Sequence, residues 1–146
     1  MQEEIKISGI QTIDTDQQPA GLRFFENRVQ AGFPSPAQNE YADSIDLNRA
    51  LITNPAATFC ARVIGNSMVD AGINEGDLLI IDRSIMPHDG NIAVCFIDGD
   101  FTVKRLSVRE DGVFLTPANA KFPELKVGEE SNFKVWGVVS HIIKKV

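Results

Sequence analysis

The chain has 146 residues, enough for one domain with a sizeable core. Its apolar share of 43% is ordinary for a globular protein and excludes wholesale disorder. A formal charge of −6 argues against direct, charge-driven binding to nucleic acid, and no apolar run is long enough to predict a membrane span.

The opening, Met1-Gln2-Glu3-Glu4-Ile5-Lys6, has neither the basic start nor the apolar core of a secretory signal. Residues 1–44 pattern poorly. A weak first strand is expected around Ile5 to Ile10. After it, Gln11 to Gln18 is polar, Pro19-Ala20-Gly21 interrupts, and Phe33-Pro34-Ser35-Pro36 suits neither a helix nor a central strand. We expect an extended arm over 1–44, with Phe24, Phe25 and Val29 available to dock on a surface. A second region, 45–146, is the expected folded domain. Asp46 to Ile52 reads as a short helix capped by Asp46 and ended by Asn54-Pro55. Strands follow at Thr58–Ile64 and Asp77–Asp82. Asn91–Ile97 and Phe101–Leu106 flank the hairpin dipeptide Asp98-Gly99. Val108–Thr116 carries a second turn at Asp111-Gly112, and Trp136–Ile143 is an almost wholly apolar final strand. Many short strands joined by turn dipeptides predict a mostly β fold, a sandwich or partly closed barrel. Cys60 and Cys95 both lie in strand-like segments, which predicts two buried thiols in a reducing cytoplasm rather than a disulfide.

Two residues carry the chemistry. Ser67 lies in the turn-like Gly65-Asn66-Ser67-Met68-Val69-Asp70, and Lys104 in the alternating Phe101-Thr102-Val103-Lys104-Arg105-Leu106. A serine hydroxyl becomes a useful nucleophile once a base takes its proton, and a neutral lysine amine can be that base. Burial among apolar groups favours the neutral form. Alternation puts Lys104 and Arg105 on opposite faces, so one faces inward if one face is buried. Lysine is the expected one, because a guanidinium does not shed its charge. Each residue also has a structural reading. Ser67-Met68-Val69-Asp70 fits a capping box, and a strand lysine ordinarily points to water. A helix start and a nucleophile are compatible, since free backbone N–H groups there can stabilise an oxyanion. His88 and His141 have no acid at a diagnostic spacing. The Ser67 segment lacks the second glycine of a nucleophile elbow. Two cysteines and two histidines set far apart give no metal motif, and no cofactor is expected.

Gly65 to Ile80, with the core Gly65-Asn66-Ser67-Met68-Val69-Asp70-Ala71-Gly72, closely resembles the nucleophile segment of LexA-like self-cleaving serine peptidases. Gly99-Asp100-Phe101-Thr102-Val103-Lys104-Arg105-Leu106 resembles their lysine-base segment. Phe33-Pro34-Ser35-Pro36-Ala37, Ile45-Asp46-Leu47-Asn48 and Trp136-Gly137-Val138-Val139 resemble the branch that serves error-prone translesion DNA polymerases. The likeness covers about residues 28–146, and residues 1–27 carry no match. It implies the LexA-like peptidase fold, with curved, partly barrel-like antiparallel sheets and an extended N-terminal arm. It also implies Ser67 as nucleophile and Lys104 as general base, with backbone N–H groups of Ser67 and Asn66 as oxyanion donors. Members cut their own arm at a small-residue–glycine bond. Of Ala20-Gly21 and Ala31-Gly32, only the second precedes Phe33-Pro34-Ser35-Pro36, so the expected cut falls between Ala31 and Gly32.

The same resemblance implies a cytoplasmic homodimer of the SOS DNA-damage response. A RecA–ssDNA filament triggers its cleavage, and a UmuC-type DNA polymerase subunit is its partner afterwards. Val138 and Ile142 of the final strand are the expected dimer face. Competing readings are a LexA-type repressor, a signal peptidase and a non-catalytic interaction module that binds polymerase partners. A repressor needs an N-terminal helix-turn-helix with a basic face, which residues 1–31 do not pattern. A signal peptidase needs a membrane anchor. In the interaction module, Ser67 would be a cap and Lys104 solvated.

Overall fold

Positive-φ dipeptides set the strand boundaries. Asp98 and Gly99 have φ of 48° and 87°, the type I′ pattern whose twist matches two antiparallel strands. The computed structural model describes residues 6–13, 22–25, 41–65, 71–116, 124–128 and 133–146. They divide into two compact units, Met1–Ile13 together with Asn54–Val146, and Asp14–Thr53.

The first unit holds strands β1 (Lys6–Thr12), β4 (Thr58–Ile64), β5 (Leu78–Asp82), β6 (Ile92–Ile97), β7 (Asp100–Arg109), β8 (Gly112–Thr116), β9 (Leu125–Lys126) and β10 (Phe133–Ile143). A single 3-10 turn, Pro55–Ala57, leads into β4. The smaller unit pairs β2 (Leu22–Phe25) with β3 (Tyr41–Ile45) antiparallel. It also holds the helix α1 (Leu47–Leu51), where the Asp46 carboxylate accepts the Asn48 N–H at 3.0 Å. The sequence anticipated this cap. It did not anticipate β2 and β3, which fall where an extended arm was expected.

The eight strands of the first unit form one antiparallel sheet in the order β1-β4-β5-β10-β6-β7-β8-β9. A further pairing of β1 with β7, at Lys6↔Thr102, closes six of them into a ring. The fold is therefore mostly β and partly barrel-like, as the resemblance implied. Strand β1, at the place of the weak first strand expected around Ile5 to Ile10, is a member of this ring and pairs with β4 from Lys6↔Ile64 to Thr12↔Phe59.

Strands β6 and β7 are covered on both faces. On one side lies a core of Ala61, Val63, Ile73, Leu79, Ile81, Val94 and Val103. On the other, Ala93, Cys95, Leu106 and Leu115 form a second core, flanked by Val108, Val113 and Val127. Alternation along β7 sends Val103 into the first core and Leu106 into the second. Trp136 on β10 lies edge-on to Phe59 of β4 at 5.1 Å and to Phe101 of β7 at 5.5 Å. Arg83 stacks on the same indole at 4.5 Å.

Strand β10 uses both edges, pairing with β5 through Val139↔Ile81 and with β6 through Val138↔Ala93. Val138 is only 3% exposed, and Ile142 is half-buried against the first core. The expectation that Val138 lies on a dimer face is corrected here: an apolar strand in mid-sheet directs it into its own core. The cysteine expectation holds in part. Both thiols are free and Cys95 is buried, but Cys60 is only half-buried. Among the described residues, no helix is long and apolar enough to cross a membrane.

Candidate active site

Lys104 sits where β7 changes partners. Thr102 pairs with β1, whereas Arg105 pairs with Thr116 of β8. On its other edge, Lys104 is in register with Ala93 of β6. The residue is 8% exposed, on the face that also carries Thr102 and Leu106 at 2% and 1%. Its neighbour Arg105 turns to the opposite face, where its guanidinium reaches the Gly90 carbonyl at 3.1 Å in an exposed hydrogen bond. Of the two adjacent cations, the lysine is the buried one.

Cys95 lies on the same face, one register step along β6 from Ala93. Burial pushes its thiol up to about 12, and the charge of nearby Lys104 opposes that rise only in part. This places the lysine close to a buried, apolar wall.

Ser67, Asn66, Ala31 and Gly32 lie outside the described residues. The flanks of the Ser67 segment are described and are tied down. Before it, Val63 of β4 is fully buried. After it, Ala71 packs on the first core and Ile73 is buried at 0% exposure. The two flanks are joined at the base: the Val63 N–H donates to the Asp77 carbonyl at 2.9 Å, and the Gly76 N–H donates to the Val63 carbonyl at 2.9 Å. Gly76 has φ of 89°, a conformation that glycine adopts without strain in the turn Asn74-Glu75-Gly76-Asp77.

The sequence reading passed over the residue that holds this base. The Asp77 carboxylate accepts the Asn74 N–H at 2.8 Å and also pairs with the Lys144 ammonium. Burial raises the carboxyl, but these hydrogen bonds and the lysine charge outweigh it and hold Asp77 below its ordinary value of 3.8. A turn signal at Gly76-Asp77 was visible in the sequence. The partnership with Lys144, across 67 residues, was not.

The sheet register links the end of β4 to β7. Ile64 pairs with Lys6, and Lys6 pairs with Thr102. Two inter-strand steps of about 4.8 Å put Ile64 and Thr102 about 10 Å apart.

Comparison with known proteins gives the family. The family model for Peptidase S24-like proteins matches residues 23–140. Protein ImpA of Salmonella typhimurium is 45% identical over 121 residues, covering 83% of this chain and 82% of ImpA. Protein MucA of Escherichia coli is 40% identical over 121 residues, with 82% of each chain covered. The LexA repressor of Stenotrophomonas maltophilia is 33% identical over 117 residues, covering 80% of this chain but 55% of the repressor. With a family model matched over most of its length and relatives of the ImpA and MucA kind, the chain belongs to the Peptidase S24-like family, among its UmuD-like members.

Proposed function

We propose that the chain is a self-cleaving serine peptidase. Its Ser67 attacks the Ala31–Gly32 bond with Lys104 as general base, and the shortened chain then serves as the accessory subunit of an error-prone translesion polymerase. The observation that carries the reading is the placement of Lys104. It is a lysine held at 8% exposure on β7, two residues beyond Thr102, which shares its strand partner Lys6 with Ile64 at the end of β4.

The chemistry follows from the residue types. Neutral Lys104 takes the Ser67 proton as the oxygen adds to the Ala31 carbonyl, and backbone N–H groups of Ser67 and Asn66 stabilise the oxyanion. Collapse of the adduct breaks the C–N bond, and Lys104 returns the proton to the Gly32 amine as it leaves. Water then hydrolyses the Ala31–Ser67 ester. The small side chains of Ala31 and Gly32 let backbone approach the nucleophile closely. Gly32 precedes Ser67 by 67 − 32 = 35 residues, and a tethered substrate gives even a slow catalyst a high effective concentration. Regulation by a RecA–ssDNA filament fits a two-state equilibrium in which the filament favours the competent arrangement. Homodimerisation and pairing with a UmuC-type subunit belong to the same reading.

The test is incubation of the purified chain in alkali, with and without RecA–ssDNA filaments. The expected product begins Gly32-Phe33-Pro34 and is absent for Ser67→Ala and Lys104→Ala. An intact chain under every condition refutes the peptidase and leaves a non-catalytic module that binds polymerase partners.

A further inference from the structure

The proposed cut falls between residues that the sheet holds together. Strand β1 lies on the N-terminal side of Ala31–Gly32, and all its partners lie on the C-terminal side. It pairs with β4 at Lys6↔Ile64, Ile7↔Val63, Ser8↔Arg62, Gln11↔Cys60 and Thr12↔Phe59, and with β7 at Lys6↔Thr102. In the smaller unit, β2 likewise precedes the cut and its partner β3 follows it. Scission therefore leaves β1 and β2 with no covalent tether to the strands they pair with.

The attachment of β1 is light. A register shift interrupts its ladder between Ser8 and Gln11, at a Gly9 with φ of 44°. Gly9, Gln11 and Thr12 are exposed. Ile7 and Ile10 pack against the first core while remaining only half-buried. The surface they cover is not light. Strand β4 carries Ala61 and Val63 at 2% and 0% exposure, and Val103 of the same core is at 1%. Without β1, the outer edge of a seven-residue strand loses its ladder and the first core loses two isoleucines from its cover.

We propose that β1 is a displaceable strand. The cut leaves it held by strand pairing and the packing of Ile7 and Ile10, and its departure opens the β4 edge to an extended partner segment with apolar side chains at the positions of Ile7 and Ile10. The proposal rests on the cleavage reading above for the place of the cut. Scission converts an intramolecular contact into a bimolecular one and removes the effective concentration the tether supplied. An exposed edge beside apolar side chains then binds an extended segment by backbone hydrogen bonds, with the two apolar positions giving selectivity.

The experiment uses the full chain, with residues 29–33 replaced by the recognition sequence of a site-specific protease, so that scission does not depend on Ser67 or Lys104. Amide hydrogen exchange is followed in β4 and β10 before and after the cut, on dilution. Exchange in β4 is expected to rise about tenfold or more while β10 stays protected. A synthetic Met1–Ile13 peptide should restore β4 protection in the cut form, and the same peptide carrying Ile7→Asp and Ile10→Asp should not. Unchanged β4 protection overturns displacement, and so does loss of protection in β4 and β10 together, which would make β1 integral to folding. Equal rescue by both peptides overturns the assignment of Ile7 and Ile10. A chain that never cuts itself refutes the peptidase reading and leaves this outcome readable.

Discussion

Replacing Lys104 by methionine and by alanine separates its chemistry from its packing. Both substitutions remove the amine and whatever it pairs with. Only alanine also removes the stem, which lies on the face shared with Thr102 and Leu106, at 2% and 1% exposure. The methylenes that alanine lacks are worth about 0.8 kcal/mol each, or about 2 to 3 kcal/mol together, before any cavity term. A chain of this size loses about 3 °C of melting temperature per kcal/mol, so Lys104→Ala should melt about 6–9 °C below Lys104→Met. Both variants should lose self-cleavage, by about a hundredfold or more if the lysine is the general base. Differential scanning calorimetry and the rate of appearance of the Gly32 N-terminus read the two effects separately. Equal melting temperatures would refute the packing argument. Wild-type cleavage by Lys104→Met would refute the role as base.

Other expectations follow from the same geometry. The Asp77 carboxyl is held below its ordinary value, so its contribution to stability is present at neutral pH and is lost as pH falls through and below 3.8. Asp77→Asn should flatten the melting temperature between pH 5 and pH 3 and cost about 1–3 kcal/mol at pH 7. A Cβ at residue 137 would sit 2.7 Å from Ile81 Cγ2 and 3.2 Å from Arg83 Cγ, so Gly137→Ala should destabilise by about 1–3 kcal/mol in urea denaturation. With its thiol pushed to about 12 and no exposure, Cys95 should resist a thiol reagent at pH 8 while half-buried Cys60 reacts, and both should react in denaturant. Equal labelling of the two in the native protein would count against the burial of Cys95.

Local signals carried much of the fold. The strand expected at Thr58–Ile64 has those limits, because its apolar run is bounded by Pro55 on one side and Gly65 on the other. The Asp98-Gly99 dipeptide placed the β6–β7 hairpin, since few residue pairs tolerate two positive φ values in succession. The second hairpin is shifted by one residue from the expectation: Arg109 pairs with Gly112, so Glu110 and Asp111 make the loop. Non-local facts escaped. Nothing in Lys6–Thr12 announces that it closes a ring against β4 and β7. The alternation in β7 predicted one buried face, whereas β8 and Val127 cover the other as well. The burial of Lys104 was legible because Arg105, beside it, had to take the opposite face. The clamp of Lys144 on Asp77 was not, because neither residue's local pattern refers to the other.

The position of β10 constrains when the molecule can finish folding. Strands β5 and β6 are consecutive among the main strands, yet each turns toward β10, which is synthesised after both. A nascent polypeptide that has not yet delivered residues 133–143 to the outside of the ribosome holds two apolar edges with an empty lane between them. Val138 can complete that lane only after both neighbours have been made, so the barrel needs shelter for its unfilled middle until residues 133–143 slide into place.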